Sequence, residues 1–69
     1  MVEVFKTNVK RVSESKILVQ KLLNHFPEHK INFDLNDCDK ILRVQGKNIS
    51  PEKIIQLLIE ENYQCRGLE

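Results

Sequence analysis

The apolar residues of this 69-residue chain change their spacing several times, and each spacing predicts a different element. The segment 2–9 mixes β-branched and aromatic residues with charged ones, which is typical of a strand. Because Val4 and Phe5 are adjacent, they cannot both face the core. We expect Phe5, Thr7 and Val9 to point inward.

The next segment repeats its apolar residues every four positions, at Leu18, Leu22 and Phe26. This spacing is typical of an amphipathic helix. Ser13 is expected to cap the N-terminus of the helix, because its hydroxyl can accept a hydrogen bond from an otherwise unpaired backbone amide. Pro27 is expected to end the helix near Phe26.

Two further strands form a predicted hairpin. Residues 29–36 alternate between apolar and polar side chains, which predicts a strand with one buried and one exposed face. Its inward positions are Ile31, Phe33 and Leu35. The Asn and Asp residues at 36–39 favour a turn, because their side chains can bond to their own backbone. Residues 40–45 then return, with Leu42 and Val44 facing inward.

A second helix is predicted to begin at Ser50-Pro51-Glu52 and to run to about Glu61. A hydroxyl cap, a proline at the first helical position and an acid in the first turn all favour a helix start here. Residues 63–66 are expected to add a short edge strand. The inward stripe of the helix is Ile54, Ile55, Leu57 and Leu58.

This order of elements predicts an α+β fold, the ferredoxin-like βαββα(β) sandwich, in which two helices pack on one face of an antiparallel sheet. A chain this short forms a single small domain. We assign it to residues 1–67 and interpret Leu68-Glu69 as the remnant of an expression tag.

Charge and composition narrow the classes of partner. Eleven Lys and Arg against ten Asp and Glu leave a formal net charge of +1, so the net field does not attract nucleic acid or anionic lipid. The N-terminus has no apolar run long enough for a signal peptide or a membrane helix, which makes the cytoplasm the expected location. We expect neither a nucleic-acid nor a membrane partner.

The sequence offers little support for metal or catalytic chemistry. Cys38 and Cys65 each lack a second Cys or His at the close spacing that convincing zinc sites show. His25 and His29 are separated by Pro27, which breaks the helical register between them, so we expect both to be exposed to solvent. No catalytic motif or phosphate-binding loop is present. We therefore expect no enzyme activity and no cofactor.

Several segments together resemble the heavy-metal-associated domain family, which includes copper chaperones and the N-terminal modules of copper-transporting ATPases. The order of elements and the length match that family. Asn62-Tyr63 stands where the family has a Gly-Tyr pair after the second helix, and residues 42–46 resemble its third strand. Leu35 matches the aliphatic end of its second strand.

The resemblance also shows what this chain lacks. Metal-binding members carry Met-x-Cys-x-x-Cys before the first helix, where two thiolates grip a soft cation. An ungapped count back from Leu18 places Val12 at the first cysteine, Ser15 at the second and Lys10 at the methionine. Neither valine nor a hydroxyl binds Cu(I) or Zn(II) usefully. The resemblance therefore implies a scaffold whose metal site is lost.

Lys10, Arg11 and Lys16 add positive charge around that loop. They form either a docking patch for an acidic protein partner or a merely solvated loop. The resemblance implies that Tyr63 lies beside the loop and covers Val12 or the start of the first helix. The candidate partner-binding residues are Lys10, Arg11, Val12, Ser15, Lys16 and Tyr63.

Three functions follow. The first is a non-enzymatic binding module, monomeric or weakly dimeric, that acts by protein–protein contact, with a role in metal homeostasis implied by the resemblance. The second is a divergent carrier that binds Cu(I) or Zn(II) through Cys38 or Cys65 between two copies of the chain. The third is a small RNA-binding module. The predicted open face of the sheet has no clear aromatic platform for bases, and it carries Lys30, Asn32, Asp34, Ile41, Arg43 and Gln45.

Overall fold

The computed structural model describes residues 1–68 and has the predicted ferredoxin-like α+β architecture. Its strands form one antiparallel sheet with the order β2-β3-β1-β4. Neither helix in the described residues is long and apolar enough to cross a bilayer. The elements, in chain order, are β1 (Val2–Thr7), α1 (Val12–His25), β2 (Lys30–Asp34), β3 (Ile41–Gln45), α2 (Pro51–Glu60) and β4 (Cys65–Leu68).

The strand register determines which side chains reach the core. Phe5 lies opposite Leu42 on β3, and Leu42 lies opposite Phe33 on β2. Phe5 and Leu42 are fully buried, and Phe33 packs against the same cluster. Thr7 and Val9 are also buried, which confirms the predicted inward face of the first strand.

Both helices place their apolar stripes on this face of the sheet. Leu18 and Leu22 of α1 join Ile54 and Leu58 of α2 in one core cluster. Burying each of these side chains contributes about 1.5–3 kcal/mol. The core of the domain therefore lies between one sheet face and two helices.

The N-terminus of α1 differs from the prediction. The helix begins at Val12, its cap position is Arg11, and Ser13 lies inside the first turn. Instead of a serine hydroxyl, the carboxylate of Glu14 reaches back and accepts the backbone N–H of Arg11 at 3.3 Å. The Ser13 assignment was wrong because a long side chain at the third helical position served this end of the helix.

The second helix begins as predicted, with Ser50 at the cap position and Pro51 first in the helix. The Ser50 hydroxyl makes no bond to the backbone amides and lies 3.5 Å from the Glu52 carboxylate. After the helix, Asn62 adopts the left-handed conformation, with φ 71. That conformation turns the chain toward β4.

The predicted edge strand at 63–66 is present but lies two residues later, at Cys65–Leu68. It pairs with β1, and Leu68 lies opposite Val4. Leu68, one of the two residues that we assigned to a tag remnant, is thus paired in the sheet. Glu69 lies outside the described residues.

Candidate functional site

Three loops meet at the end of the sheet where β1 stops, which we call the loop end. The backbone N–H of Thr7 donates to the carbonyl of Asp39 at 3.1 Å, which joins β1 to the turn before β3. The backbone N–H of Gln64 donates to the Asn8 side chain at 2.8 Å, which joins the β1–α1 loop to the segment after α2. The β1–α1 loop is therefore held from both sides.

Thr7 is the buried anchor of the loop end. Its side chain is inside the protein, with only 6% of the residue exposed. The hydroxyl donates to the carbonyl of Lys40 at 2.6 Å and accepts the backbone N–H of Val9 at 3.2 Å. Sequence reasoning placed Thr7 inward but missed this role, because no sequence signal pairs it with Lys40.

Val12 and Ser15, which the sequence resemblance aligns with metal-binding cysteines, have different environments. Val12 is 61% exposed, whereas Ser15 is 7% exposed. The Ser15 hydroxyl donates to the Val12 carbonyl at 2.7 Å, within the first turn of α1. Ser15 is thus mostly buried against the first turn of α1, while Val12 is available at the surface.

The cationic residues around this turn are exposed. Lys10, Arg11 and Lys16 all lie at the surface, and none makes an ion pair within residues 1–68. They lie near the N-terminus of α1, where the helix dipole contributes further positive potential. We call these three cations, together with Val12, the cationic loop surface.

Tyr63 contacts the first turn of α1, which is one of the two positions predicted for it. Its hydroxyl donates to the Glu14 carboxylate at 2.8 Å. The other oxygen of the same carboxylate accepts the Arg11 amide, so Glu14 links Tyr63 to the helix cap. This hydrogen bond is the largest of the causes that raise the pKa of Tyr63, and burial and the charges of Glu14 and Glu61 act in the same direction.

The raised pKa of Tyr63 gives a direct test of this contact. Tyr63 is the single tyrosine, so the ultraviolet absorbance of its phenolate can be titrated without overlap. We expect it to ionise above the ordinary value of about 10, and we expect Glu14→Gln to lower its pKa. Because the pKa of Tyr63 is raised in the folded state, the hydrogen bond stabilises the fold fully below about pH 10. This stabilisation is lost as the pH rises through the pKa of Tyr63 in the folded state. An unchanged pKa in Glu14→Gln would contradict the contact.

The two cysteines lie on opposite sides of β1. Cys65 opens β4, directly opposite Thr7, while Cys38 is exposed on the turn before β3. Cys65 packs against the core cluster, and burial raises the pKa of its thiol to about 12. The thiolate, which is the metal-binding form, is therefore strongly disfavoured at Cys65.

The turn around Cys38 brings three potential ligand atoms together. One ligand atom each from Asp37, Cys38 and Asp39 lies within 4.8 Å of the others. Both carboxylates already have partners: Asp37 accepts the Asp39 amide at 2.8 Å, and Asp39 lies 3.4 Å from the Lys6 ammonium. These contacts are those of a stable turn.

His29 corrects the prediction that both histidines are exposed. His25 is exposed, but His29 is half-buried and stacks on Phe26 with ring centroids 5.5 Å apart. Among residues 1–68, its buried Nδ1 atom has no hydrogen-bond partner. A Cβ atom at Gly46 would lie 2.5 Å from that nitrogen, so the glycine makes room for the ring. The signal available in the sequence was this glycine at the end of the third strand.

Comparisons with known proteins found no relative of this chain. No protein-family model, no curated protein and no solved structure matches the chain. The resemblance to heavy-metal-associated domains therefore rests on the residues and the fold described above.

Proposed function

We propose that this chain is a non-enzymatic binding module of the heavy-metal-associated type that contacts an acidic protein partner through its cationic loop surface. One observation carries the proposal. The two positions that hold thiolates in metal-binding members are an exposed valine and a serine whose hydroxyl bonds to the Val12 carbonyl, and exposed cations flank them.

The electrostatics of the cationic loop surface favour carboxylates over metal cations. Each positive side chain near a helix N-terminus is unfavourable by about 0.3–1 kcal/mol, because it adds to the positive end of the dipole. No ion pair in the described residues offsets this unfavourable free energy at Lys10, Arg11 or Lys16. An approaching carboxylate relieves the repulsion, whereas a bare cation increases it.

Two features of the scaffold support the family resemblance behind the proposal. Asn62 stands at the position of the family's glycine and has the left-handed φ of 71 that glycine adopts most easily. Tyr63 then reaches the first turn of α1 through Glu14. The segment after α2 is thus held against the same turn that carries the cationic loop surface. A role in metal homeostasis is part of the proposal through this resemblance alone.

The metal-carrier alternative has weaker support. It needs Cys38 or Cys65 to supply a thiolate between two copies of the chain. Cys38 is exposed, but Cys65 is partly buried with a pKa raised to about 12. Titration with Cu(I) or Zn(II) while the molecular mass is monitored separates this alternative, since it requires metal-dependent dimerisation.

The RNA-binding alternative is also weaker, because the aromatic residues lie on the helix side of the sheet. Phe5 is in the core, and Phe26, Phe33 and Tyr63 pack against it. Bases are usually held on single strands by stacking on exposed aromatic rings. Within residues 1–68, no aromatic side chain is placed on the open face of the sheet.

The test of the proposal is a nuclear magnetic resonance titration of the labelled chain with a polyglutamate peptide at low ionic strength. We expect saturable shifts of backbone signals from residue 10 to residue 16. Lys10→Glu combined with Lys16→Glu is expected to weaken binding at least tenfold, roughly 1.4 kcal/mol. The matched control is Lys47→Glu combined with Lys53→Glu, which reverses two exposed cations outside this surface.

Two results would overturn the proposal. One is equal loss of peptide binding in the control pair, which would show that only net charge matters. The other is a stoichiometric Cu(I) complex that persists in a Cys38→Ser and Cys65→Ala variant, because the chain would then hold a metal ion without any thiol, which a module that has lost its metal site does not do.

A further inference from the structure

The face of the sheet that the helices leave uncovered carries a second set of cations. Strand register places Asn32 opposite Arg43, Val4 opposite Arg43, and Lys6 opposite Arg66, so these side chains share that face. Lys30 lies at the start of β2 on the same side. Lys30, Arg43 and Arg66 are exposed and make no ion pair within residues 1–68.

Lys6 and Arg66 form a like-charge pair directly across two strands. Such a pair destabilises a sheet, whereas an opposite-charge pair stabilises it. Lys6 is balanced by Asp39, with 3.4 Å between ammonium and carboxylate. Arg66 has no such partner in the described chain. The arrangement is therefore not explained by the stability of the sheet.

An aliphatic strip lies beside these cations. Val2 is 49% exposed and Val4 is partly exposed on β1, and the register places them opposite Gln45 and Arg43 of β3. Ile41 continues the strip but is only 8% exposed. Two anions lie on or beside this face: Asp34, which is exposed opposite Ile41, and Asp39, which is paired with Lys6. We call Lys30, Arg43 and Arg66, with Val2 and Val4, the open-face surface.

We propose that the open-face surface binds an acidic amphipathic polypeptide segment, whose carboxylates meet Arg43, Arg66 and Lys30 while its aliphatic side chains cover Val2 and Val4. Guanidinium groups bind carboxylates through two parallel hydrogen bonds, which suits Arg43 and Arg66 to this role. The segment lies on the side of the sheet away from the helices and does not use the cationic loop surface.

The chemistry of this surface favours a protein over the other occupants. The phosphates of a nucleic acid could pair with the cations, but its backbone would make no favourable apolar contact with the exposed valines. This face of residues 1–68 also carries no aromatic ring on which a base could stack. A second copy of the chain placed face to face would bring Arg43 and Arg66 against the same cations. An acidic segment with aliphatic residues complements both properties at once.

The proposal can be tested by titrating the labelled chain with a synthetic helical peptide that has glutamates on one side and leucines on the other. The signals to follow are the methyl groups of Val2 and Val4 and the Nε groups of Arg43 and Arg66. We expect these to shift saturably, with smaller changes at Val12, which belongs to the cationic loop surface. A peptide with serine in place of leucine is expected to bind more weakly.

Arg43→Glu combined with Arg66→Glu is expected to weaken binding at least about tenfold. Arg66→Glu alone is expected to raise the thermal midpoint by roughly 1–4 °C, because it converts the cross-strand pair with Lys6 into an opposite-charge pair. Any loss of binding in Arg66→Glu alone, a variant of raised stability, cannot come from unfolding. The matched control is Lys10→Glu combined with Lys16→Glu, which is expected to keep this peptide bound at the open face.

Three results would overturn the proposal. The first is a peptide response confined to Val12 and its neighbours, which would place all acidic binding at the cationic loop surface. The second is tighter binding of a single-stranded oligonucleotide than of the peptide at the same salt concentration. The third is a concentration-dependent dimer that Arg43→Glu combined with Arg66→Glu changes, since a second copy would then be the occupant.

Discussion

Val12→Cys combined with Ser15→Cys is expected to create a site that binds one Cu(I) per chain, in a protein whose own residues at those positions offer no soft ligand. The two positions are three apart on the first turn of α1, so their side chains are neighbours. The Ser15 hydroxyl lies 2.7 Å from the Val12 carbonyl, so the Ser15 side chain turns back toward the backbone of Val12.

The surroundings would help the introduced thiols to ionise. A helix N-terminus and nearby Lys and Arg residues lower the pKa of a thiol, and Lys10, Arg11 and Lys16 are all close in the chain. Two thiolates would also remove the repulsion that a bare cation meets there. We expect the affinity for Cu(I) to rise by several orders of magnitude.

The measurement is competition with a Cu(I) chelator of known affinity in a Cys38→Ser and Cys65→Ala background. Gln56→Cys combined with Ile59→Cys is the matched control, because it has the same spacing on exposed positions of α2 that lie beyond its first turn. Equal affinity in both pairs would contradict the assignment of Val12 and Ser15 to the family's ligand positions.

Thr7→Val is expected to destabilise the fold by about 2–3 kcal/mol, because it leaves two backbone groups at the loop end without their partner. Valine has nearly the same shape as threonine, so the core contacts remain. The carbonyl of Lys40 and the amide of Val9, bonded at 2.6 Å and 3.2 Å, lose the hydroxyl. The β1–α1 loop and the turn before β3 are expected to loosen together.

Urea unfolding at equilibrium measures this loss. Thr7→Ser is the matched control, since it keeps the hydroxyl and removes only a methyl group, and it is expected to cost less than Thr7→Val. For a domain of this size, the loss in Thr7→Val corresponds to a fall in the thermal midpoint of roughly 10–20 °C. A Thr7→Val protein as stable as the parent would show that solvent or a shifted backbone satisfies both groups.

Sequence reasoning succeeded where one local pattern dominates. The alternation of Ile31, Phe33 and Leu35 predicted the second strand and its partly buried side. Ser50-Pro51 predicted the start of α2, because the first turn is the part of a helix in which proline is favoured. Such signals depend on backbone geometry over a few residues, and the structure confirmed them within one or two positions.

Sequence reasoning failed where contacts outside the local apolar and turn patterns decide the outcome. Ser13 has the chemistry of a helix cap, yet the carboxylate of Glu14 serves the cap and is itself held by Tyr63. His29 stacks on Phe26 because Gly46, far along the chain, leaves the space.

Hydrophobic spacing and turn chemistry by themselves determined the order of elements, the α+β class and the inward residues of the first three strands, since these follow from short-range periodicity. Only the tertiary structure decided which polar groups meet at the loop end and which cations share the open face. Strand order brings Lys6 opposite Arg66 and Thr7 beside Lys40 across 60 and 33 positions of sequence, and no local pattern encodes pairing at that distance.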